Sequence, residues 1–125
     1  MNIEKLDNIL AVVRGGGLLI STPQDAVELI AAARYETGCQ ALILPKETLS
    51  EDFFRLSTGL AGEVLQKFVN YGMRVALVGD FSQYTSKPLR DFIRESNRGN
   101  AVLFVRTEEE ARERLSAAGA RMAEP

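Results

Sequence analysis

The sequence contains no histidine, and among its 125 residues it has a single cysteine. Without an imidazole there is no histidine-based acid–base catalysis, no Ser-His or Cys-His nucleophile, and almost no route to a zinc or non-haem iron site. Because Cys39 stands alone, the chain forms no internal disulfide and holds no CxxC redox or metal pair. These absences argue against an enzyme, and we predict no catalytic residues, no cofactor and no metal site.

Long apolar runs and a strong excess of either charge are also missing. The longest apolar runs, such as 41–44 and 101–105, fall far short of the roughly 20 residues that a membrane span needs. With 15 Lys and Arg against 17 Asp and Glu, the net charge is -2, which excludes a dominant basic surface for nucleic acid. The first residues, Met1 to Asp7, are charged where a secretory signal is apolar. We therefore expect a cytoplasmic protein without a membrane or nucleic-acid partner.

What the sequence does contain is typical of one small globular domain. Hydrophobic residues make up 46% of the chain and charged residues 26%, which matches ordinary soluble domains. A chain of this length buries roughly two-thirds of its unfolded surface, so it folds without disulfides or a structural metal. We predict a single domain over residues 1–119 and a flexible C-terminal tail at 120–125.

Consecutive glycines separate two apolar runs in the first part of the chain. Two short apolar runs, 9–14 and 17–21, flank Gly15 and Gly16, which supply the positive φ angles of a tight hairpin turn. No Gly-Lys-Ser or Gly-Lys-Thr follows these glycines, and a run that joins two strands is not a phosphate-binding loop. We therefore predict an antiparallel N-terminal hairpin.

Further along, continuous apolar runs alternate with amphipathic segments. Runs without polar alternation are typical of parallel strands buried on both faces, and the segments between them carry apolar residues at helical spacing. Thr22 and Pro23 mark the start of the first helix and Gly38 its end. The predicted buried strands are 41–44, 75–78 and 102–105, and further helices begin near Thr58, Ser86 and Thr107, the last ending at Gly119. The pattern predicts an α/β fold with one mixed sheet of about five strands, the hairpin plus parallel strands, and about four helices packed on it.

Polar residues collect where the parallel strands end. Ligands of open α/β sheets bind beyond the carboxyl ends of such strands. The residues expected at or near this edge are Lys46, Asp80, Ser82, Lys87 and Arg106. Mixed charges of this kind suit a small polar ligand, although loops are polar in any case and a solvated edge is the alternative interpretation. We keep these five residues as a candidate ligand edge.

A second candidate site precedes the second predicted helix. Phe53 and Phe54 are adjacent on a short turn, where both rings do not fit one core, so we expect at least one to be an exposed contact residue. Ser57, Thr58 and Gly59 follow at the start of the helix, where backbone N–H groups lack partners within the helix. The segment therefore predicts a site for partner docking or for phosphorylation of a hydroxyl. The alternative is that Ser57 or Thr58 simply caps the helix.

Motifs between Ser50 and Asn97 carry a family resemblance. They are Ser50-Glu51-Asp52-Phe53-Phe54, Thr58-Gly59-Leu60-Ala61-Gly62-Glu63, Leu65-Gln66-Lys67-Phe68, Asn70-Tyr71, Gly79-Asp80-Phe81-Ser82, Tyr84, Ser86-Lys87, Asp91-Phe92-Ile93 and Glu95-Ser96-Asn97. In these motifs the sequence resembles an uncharacterised bacterial family, domain of unknown function 4180. Fainter similarity extends back to the helix at 24–26, so the resemblance covers most of the chain. It implies no activity, cofactor or assigned site.

The order of elements also resembles, more distantly, the STAS domains of anti-sigma-factor antagonists and of sulfate transporters. In those domains a helix begins at an Asp-Ser-Ser-Gly loop, whose second serine accepts a regulatory phosphate. The corresponding residues here are Leu56, Ser57, Thr58 and Gly59, so the aspartate and the acceptor serine are both replaced. The resemblance implies a STAS-like fold with a regulatory contact at this loop.

Together, the residues and the resemblances predict a non-enzymatic, STAS-like protein-interaction or regulatory module. Its docking surface is the segment 53–59, and its partner is an unidentified protein. The alternative is a small-molecule binder or minor enzyme that uses the polar edge of the sheet. A second copy of the chain, in a homodimer, is a further candidate partner, because exposed aromatic residues favour self-association.

Overall fold

The computed structural model describes the backbone of residues 1–123 and the side chains of residues 1–116. The strands in this part of the chain are β1 (Asn2–Lys5), β2 (Leu10–Arg14), β3 (Ala41–Pro45), β4 (Arg74–Val78) and β5 (Val102–Val105). The α-helices are α1 (Pro23–Thr37), α2 (Leu60–Asn70), α3 (Lys87–Arg98) and α4 (Glu108–Ala123). The predicted α/β class, with one mixed five-stranded sheet and four helices, is confirmed.

The strands form the sheet in sequence order, β1-β2-β3-β4-β5. β1 is antiparallel to β2, with Ile3 opposite Val13, whereas the strands from β2 to β5 run parallel. Because consecutive parallel strands are neighbours and crossovers share one hand, every connecting helix falls on the same face of the sheet. α1, α2 and α3 therefore pack on one face, and α4, which follows the last strand, covers the other.

The hairpin lies one strand earlier than the sequence predicts. The prediction of a strand at 17–21 is wrong. β2 pairs instead with β1, the strand before it, and the tight turn between them lies at 6–9. The Asp7 carboxylate holds this turn by accepting the N–H groups of Ile9 and Leu10, each at 2.8 Å. β1 carries almost no sequence signal, since only Ile3 of its four residues is buried.

The glycine run connects β2 to α1 instead of closing a hairpin. Gly15, Gly16 and Gly17 all adopt positive φ, which a side chain disfavours, and Gly16 packs against the backbone of Met1. The run therefore joins a strand to a helix, which removes one reason for excluding a phosphate loop. The other reason stands, because no Gly-Lys-Ser or Gly-Lys-Thr follows.

Both ends of α1 follow the sequence signals. The Thr22 hydroxyl accepts the N–H of Asp25 at 3.1 Å, and the Asp25 carboxylate accepts the N–H groups of Ser21 and Thr22 in return. These hydrogen bonds, that from Ser21 above all, hold the pKa of Asp25 below its ordinary value. At the other end, Gly38 is left-handed, with φ of 70°. The predicted capping residues of this helix are confirmed.

The hydrophobic core has two parts, one on each face of the sheet. The larger part lies under α1, α2 and α3 and includes the fully buried rings of Phe53 and Phe68. The smaller part lies under α4, where Ala111 and Leu115 pack over strand residues such as Val12. The strands from β2 to β5 are therefore buried on both faces, which explains their unbroken apolar sequences.

The C-terminal helix extends further than its sequence suggests. α4 continues through Gly119 to Ala123, where a helix end at Gly119 was expected. Residues 124 and 125 of the expected flexible tail lie outside the described residues. None of the helices described combines the length and the apolar character that a membrane crossing requires.

Candidate functional site

The chain between β3 and α2 is built from three short 3-10 turns. These are Lys46–Thr48, Glu51–Phe54 and Leu56–Thr58. The first turn is fixed by the buried Thr48, whose hydroxyl donates to the Pro45 carbonyl at 2.7 Å. A parallel bridge between Ile20 and Leu49 ties the segment to the chain that enters α1. The whole connection is therefore anchored at the carboxyl end of the sheet.

Phe53 and Phe54 are both buried, so the expectation that one of them is exposed is wrong. Phe53 is 0% exposed and Phe54 is 5% exposed. Their rings meet edge to face, with centroids 5.0 Å apart. The two side chains do not share one environment, because Phe54 is covered by Phe81 and Tyr84 from the loop after β4. A loop distant in sequence thus supplies the second hydrophobic environment that the turn lacks.

An aromatic cluster joins the two sites that the sequence predicts separately. The Tyr84 ring stacks on Phe54 with centroids 4.6 Å apart and an interplanar angle of 11°. Phe81 in turn contacts Phe104 of β5 edge to face at 5.3 Å, and Phe92 of α3 contacts Phe104 at 6.1 Å. The 3-10 segment, the loop at 79–86 and α3 are therefore held as one surface at the carboxyl edge of the sheet.

Lys46 is positioned by this cluster. Its ammonium group lies 4.8 Å from the centre of the Tyr84 ring and 5.9 Å from that of Phe54, within range of a cation–π interaction. Its side-chain stem lies against Gly79, where an added Cβ would come within 2.6 Å of the Lys46 Cβ. The Tyr84 hydroxyl reaches the Glu51 carboxylate at 3.4 Å. Lys46 and Tyr84 thus occupy fixed places at the edge.

Four of the five predicted edge residues interact with one another. Asp80 accepts the backbone N–H of Ser82 at 2.9 Å. Hydrogen bonds from Ser82, with the positive charges of Arg106 and Lys46 adding to them, hold the pKa of Asp80 below its ordinary value. Lys87 instead pairs with Asp91 one helical turn away, at 2.7 Å. Asp80 is therefore suited to remain an anion that organises its loop rather than to transfer protons at neutral pH.

Two cavities lie on either side of the Phe54–Tyr84 stack. One, of about 350 Å³, is lined by Lys46, Glu47, Leu49, Glu51 and Phe54. The other, of about 380 Å³, is lined by Phe81, Ser82, Tyr84, Arg90, Ile93 and Arg94, and we call it the α3 groove. Lys46 and Ser82 therefore line different cavities, although both were expected at one ligand edge.

Sequence reasoning missed Arg90 and Arg94, which place two guanidinium groups at the α3 groove. Arg94 has an ion pair with Asp91 at 3.4 Å. A spacing of four residues puts two side chains on the same helix face, so the pair was visible in the sequence as a basic stripe. What the spacing did not reveal is that the aromatic loop faces this stripe.

Thr58 serves as a local structural residue. Its hydroxyl accepts the N–H of Leu60 at 3.2 Å and lies 2.8 Å from the Asp52 carbonyl, to which it donates. Gly59 follows with φ of 80°, a left-handed conformation, and is itself the residue that precedes α2. Ser57 is exposed, and among the described residues its hydroxyl makes no hydrogen bond. Both residues are exposed, and of their two hydroxyls only that of Thr58 is held by hydrogen bonds.

A further cavity opens beside this loop, along the first turns of α2. It has a volume of about 480 Å³ and is lined by Pro23, Gly62, Glu63, Gln66 and Lys67, and we call it the α2 groove. Gly62 is exposed at its floor, and a Cβ added there would meet no atom within 4 Å. Gly59 stands three and four positions before Gly62 and Glu63, on the same side of α2, so the segment 57–59, which we call the rim, leads towards the α2 groove.

The comparisons with known proteins assign the chain to a family. The model described as "Domain of unknown function (DUF4180)" matches residues 6–115. The chain belongs to this family. The match spans every candidate residue named above, so both sites lie inside the DUF4180 domain. No curated protein and no solved structure matched the chain, and the expected likeness to STAS domains is not confirmed.

Proposed function

We propose that this DUF4180 protein is a non-enzymatic, STAS-like interaction module of the cytoplasm. A protein partner docks at the start of α2, on the rim formed by Ser57, Thr58 and Gly59 and in the α2 groove beside it. The observation that carries this proposal is the α2 groove itself, a cavity of about 480 Å³ next to a rim whose backbone is fixed. Phe53 and Phe54 support this surface from inside rather than touching the partner.

The chemistry of the α2 groove supports a binding role. Because Gly62 lacks a side chain, the helix backbone is accessible at the floor of the groove, and Pro23 contributes an apolar wall. Glu63, Gln66 and Lys67 surround this floor with a carboxylate, an amide and an ammonium group. A groove with an apolar wall and polar side chains around it is the kind of site in which an interface holds an anchoring side chain of the partner.

Ser57 is the residue whose phosphorylation would regulate this docking. Its hydroxyl is exposed, so a phosphate added there would stand at the rim close to the N-terminus of α2, where negative charge is stabilised. Phosphorylation of Thr58 would instead break the hydrogen bonds that hold Leu60 and Asp52. The Ser57→Glu substitution therefore mimics the regulated state without disturbing the loop.

Substitution of Gly62 tests the docking proposal with a matched pair of variants. Gly62→Gln fills the α2 groove, whereas Gly62→Ala leaves it open, and both replace a helical glycine and raise helix propensity by about 1 kcal/mol. With the full chain immobilised and exposed to native lysate, the proteins retained by the parent chain should be retained by Gly62→Ala and lost with Gly62→Gln. Equal retention by the two variants would refute docking in the groove.

A small-molecule binder remains the second candidate function, and the α3 groove favours it. Arg90 and Arg94 contribute guanidinium groups, Ser82 a hydroxyl, and Phe81 and Tyr84 aromatic walls to one cavity. Guanidinium groups bind carboxylates and phosphates through two parallel hydrogen bonds. The class of ligand that fits is therefore a small organic anion with an apolar body.

Titration with benzoate and with inorganic phosphate, followed by the amide NMR signals of residues 81–94, tests this second function. We expect benzoate to shift signals around the α3 groove in the parent chain. A variant that carries Arg90→Gln together with Arg94→Gln should lose these shifts. An unresponsive parent chain, or shifts that persist in the double variant, would exclude an anion site at the groove.

A further inference from the structure

The two edges of the sheet differ in whether their outward backbone groups have hydrogen-bond partners. At the β5 edge, the Asn97 side chain takes the place of a neighbouring strand: its amide group donates to the Phe104 carbonyl at 3.1 Å, and its amide oxygen accepts the Phe104 N–H at 2.7 Å. Arg114 holds the Asn97 backbone in place through its carbonyl at 2.9 Å. Among the described residues, no comparable side chain pairs with the backbone of β1. The β5 edge is thus closed at Phe104, with only the outward groups of Val102 left unbonded among the described residues, whereas the β1 edge is open.

The hydrogen-bond pattern of the hairpin shows which groups of β1 point outward. The N–H of Leu6 donates to the Leu10 carbonyl, while the Leu10 N–H donates to Asp7, so Leu6 and Leu10, one step beyond the Lys5–Ala11 pair, occupy a hydrogen-bonded position of the ladder. Opposed residues in an antiparallel ladder alternate between hydrogen-bonded and non-bonded pairs. Going back along β1, Glu4 therefore faces β2, whereas Ile3 and Lys5 direct their N–H and C=O groups to the open edge. The edge offers two donors and two acceptors.

We propose that β1 pairs antiparallel with β1 of a second copy of this chain, about a two-fold axis that passes beside Glu4. Ile3 then lies opposite Lys5 of the second copy, and Lys5 opposite its Ile3. This register pairs all four outward groups of each strand. Moving the axis to Ile3 leaves the Lys5 groups opposite Met1, outside the strand. A register with the axis between two residues, which would set Ile3 opposite Glu4 of the second copy, is excluded because the opposed side chains would then lie on opposite faces of the sheet.

Charge complementarity supports a second copy as the occupant. Ile3 faces α1, so Lys5 of the second copy enters the same layer, beside a cavity of about 290 Å³ lined by Met1, Leu19, Asp25, Glu28, Leu29 and Ala32. The apolar part of this lining suits the lysine stem, and the two carboxylates suit its ammonium group. Each copy offers this cavity to the lysine of the other, so the contact is made twice.

The opposite face of the sheet accommodates the one pair of like charges. Glu4 of each copy lies on the axis opposite the other Glu4, which would be repulsive if the carboxylates were free. Each carboxylate, however, is bonded to Arg14 of its own chain at 2.9 Å. Because Arg14 also binds Glu108 of α4, the guanidinium is fixed beside the axis. The repulsion is therefore offset within each chain.

The closed β5 edges limit the assembly to two copies. After β1 joins β1, the combined ten-stranded sheet ends in a β5 strand on each side. In both of these strands Asn97 occupies the outward backbone groups of Phe104, which leaves only those of Val102. One residue with free groups is too short a stretch for another strand to pair, so the assembly closes as a dimer instead of growing into a filament.

A cysteine at the axis provides a direct test of this register. In a non-bonded antiparallel pair the Cα atoms are about 4.5 Å apart, within the range that a disulfide spans. Under mild oxidation Glu4→Cys should therefore form a covalent dimer, whereas the control Asn2→Cys should not, because its two copies lie four positions apart. The native Cys39 is buried, and the parent chain should stay uncrosslinked. Equal crosslinking of Glu4→Cys and Asn2→Cys would overturn the proposal.

A second variant tests the hydrogen bonds without relying on a new thiol. Lys5→Pro removes both an N–H that points outward and the lysine side chain, so the bonds between β1 and β2 are kept, whereas two of the four bonds between copies and both lysine contacts are lost. We expect dimerisation, measured by analytical ultracentrifugation over a range of concentrations, to weaken at least about 30-fold. A parent chain that sediments as a 13.8 kDa monomer at every concentration would overturn the proposal, as would an unchanged dimer of Lys5→Pro.

Discussion

Asn97 offers the sharpest test of how the β5 edge is stabilised. The substitution Asn97→Ala removes both hydrogen bonds to Phe104, at 2.7 and 3.1 Å, and leaves the backbone groups without their partner. Each such bond contributes about 0.5–1.5 kcal/mol, so the loss is about 1–3 kcal/mol. Alanine in the last turn of α3 returns up to about 0.7 kcal/mol through its higher helix propensity. The net destabilisation expected is about 0.3–3 kcal/mol.

Urea denaturation followed by circular dichroism measures this change. The midpoint should fall for Asn97→Ala with an unchanged slope, because the folded state loses stability and not compactness. Asn97→Asp keeps the acceptor for the Phe104 N–H but sets a carboxylate oxygen against the Phe104 carbonyl, so its midpoint should also lie below that of the parent. Asn100→Ala, an exposed position next to β5, is the control and should have no effect. A midpoint of Asn97→Ala equal to that of the parent would refute this reasoning.

The same substitution has a consequence for assembly. Without the Asn97 carboxamide, the backbone of Phe104 is open for pairing, so a sheet of two copies gains two free edges. Asn97→Ala should therefore form species larger than a dimer as its concentration rises, and Asn100→Ala should not. Sedimentation velocity distinguishes these outcomes. If Asn97→Ala does not grow beyond the parent, the carboxamide does not limit assembly.

Three further predictions concern single residues. Thr58→Val should lower the free energy of unfolding by about 1–2 kcal/mol, while Ser57→Ala should change it by less than about 0.5 kcal/mol; equal effects in urea denaturation would contradict the roles given to the two hydroxyls. The ionised Asp25 carboxylate stabilises the folded chain at pH values above the pKa of an unfolded aspartate, about 4, because its pKa is lower in the folded state. This contribution is lost as the pH falls through the lower folded pKa. Asp25→Asn should therefore flatten the fall in thermal stability below that pH, and an unchanged pH profile would exclude the capping role. Gly79→Ala should lower the free energy of unfolding by about 1–3 kcal/mol, because the added Cβ meets Lys46. The displaced Lys46 should also shift the NMR signals of the Tyr84 ring on which it lies. Ring signals at their parent positions would show that Lys46 does not move.

Much of the fold was accessible from local sequence patterns. The unbroken apolar runs identified β3, β4 and β5, because a strand covered on both faces needs an apolar side chain at every position. Thr22, Pro23 and Gly38 fixed the ends of α1, since capping depends on residues within one turn of the helix end. β1 was not predicted, because it buries only one of its four side chains and is a strand only through its pairing with β2.

The candidate sites were accessible only in part. Lys46, Asp80 and Ser82 do lie near one another after β3 and β4, because parallel strands bring their ends together, whereas their use as a ligand edge stays a prediction. Sequence reasoning placed one phenylalanine of the pair at the surface, because a turn of four residues contains nothing that covers a second ring. It also missed the arginines of α3, whose stripe gains meaning only from the loop that faces it.

By itself the sequence determined the α/β class, the order of the buried strands and the caps of α1, all of which depend on interactions between residues a few positions apart. Only the tertiary structure decided that Tyr84 covers Phe54, that Lys46 lies over both rings, and that Asn97 closes the β5 edge while β1 stays open. The physical reason is that burial and edge pairing depend on which distant segment packs against a residue. That choice is made by the whole sheet with its helices, and no short stretch of sequence contains it.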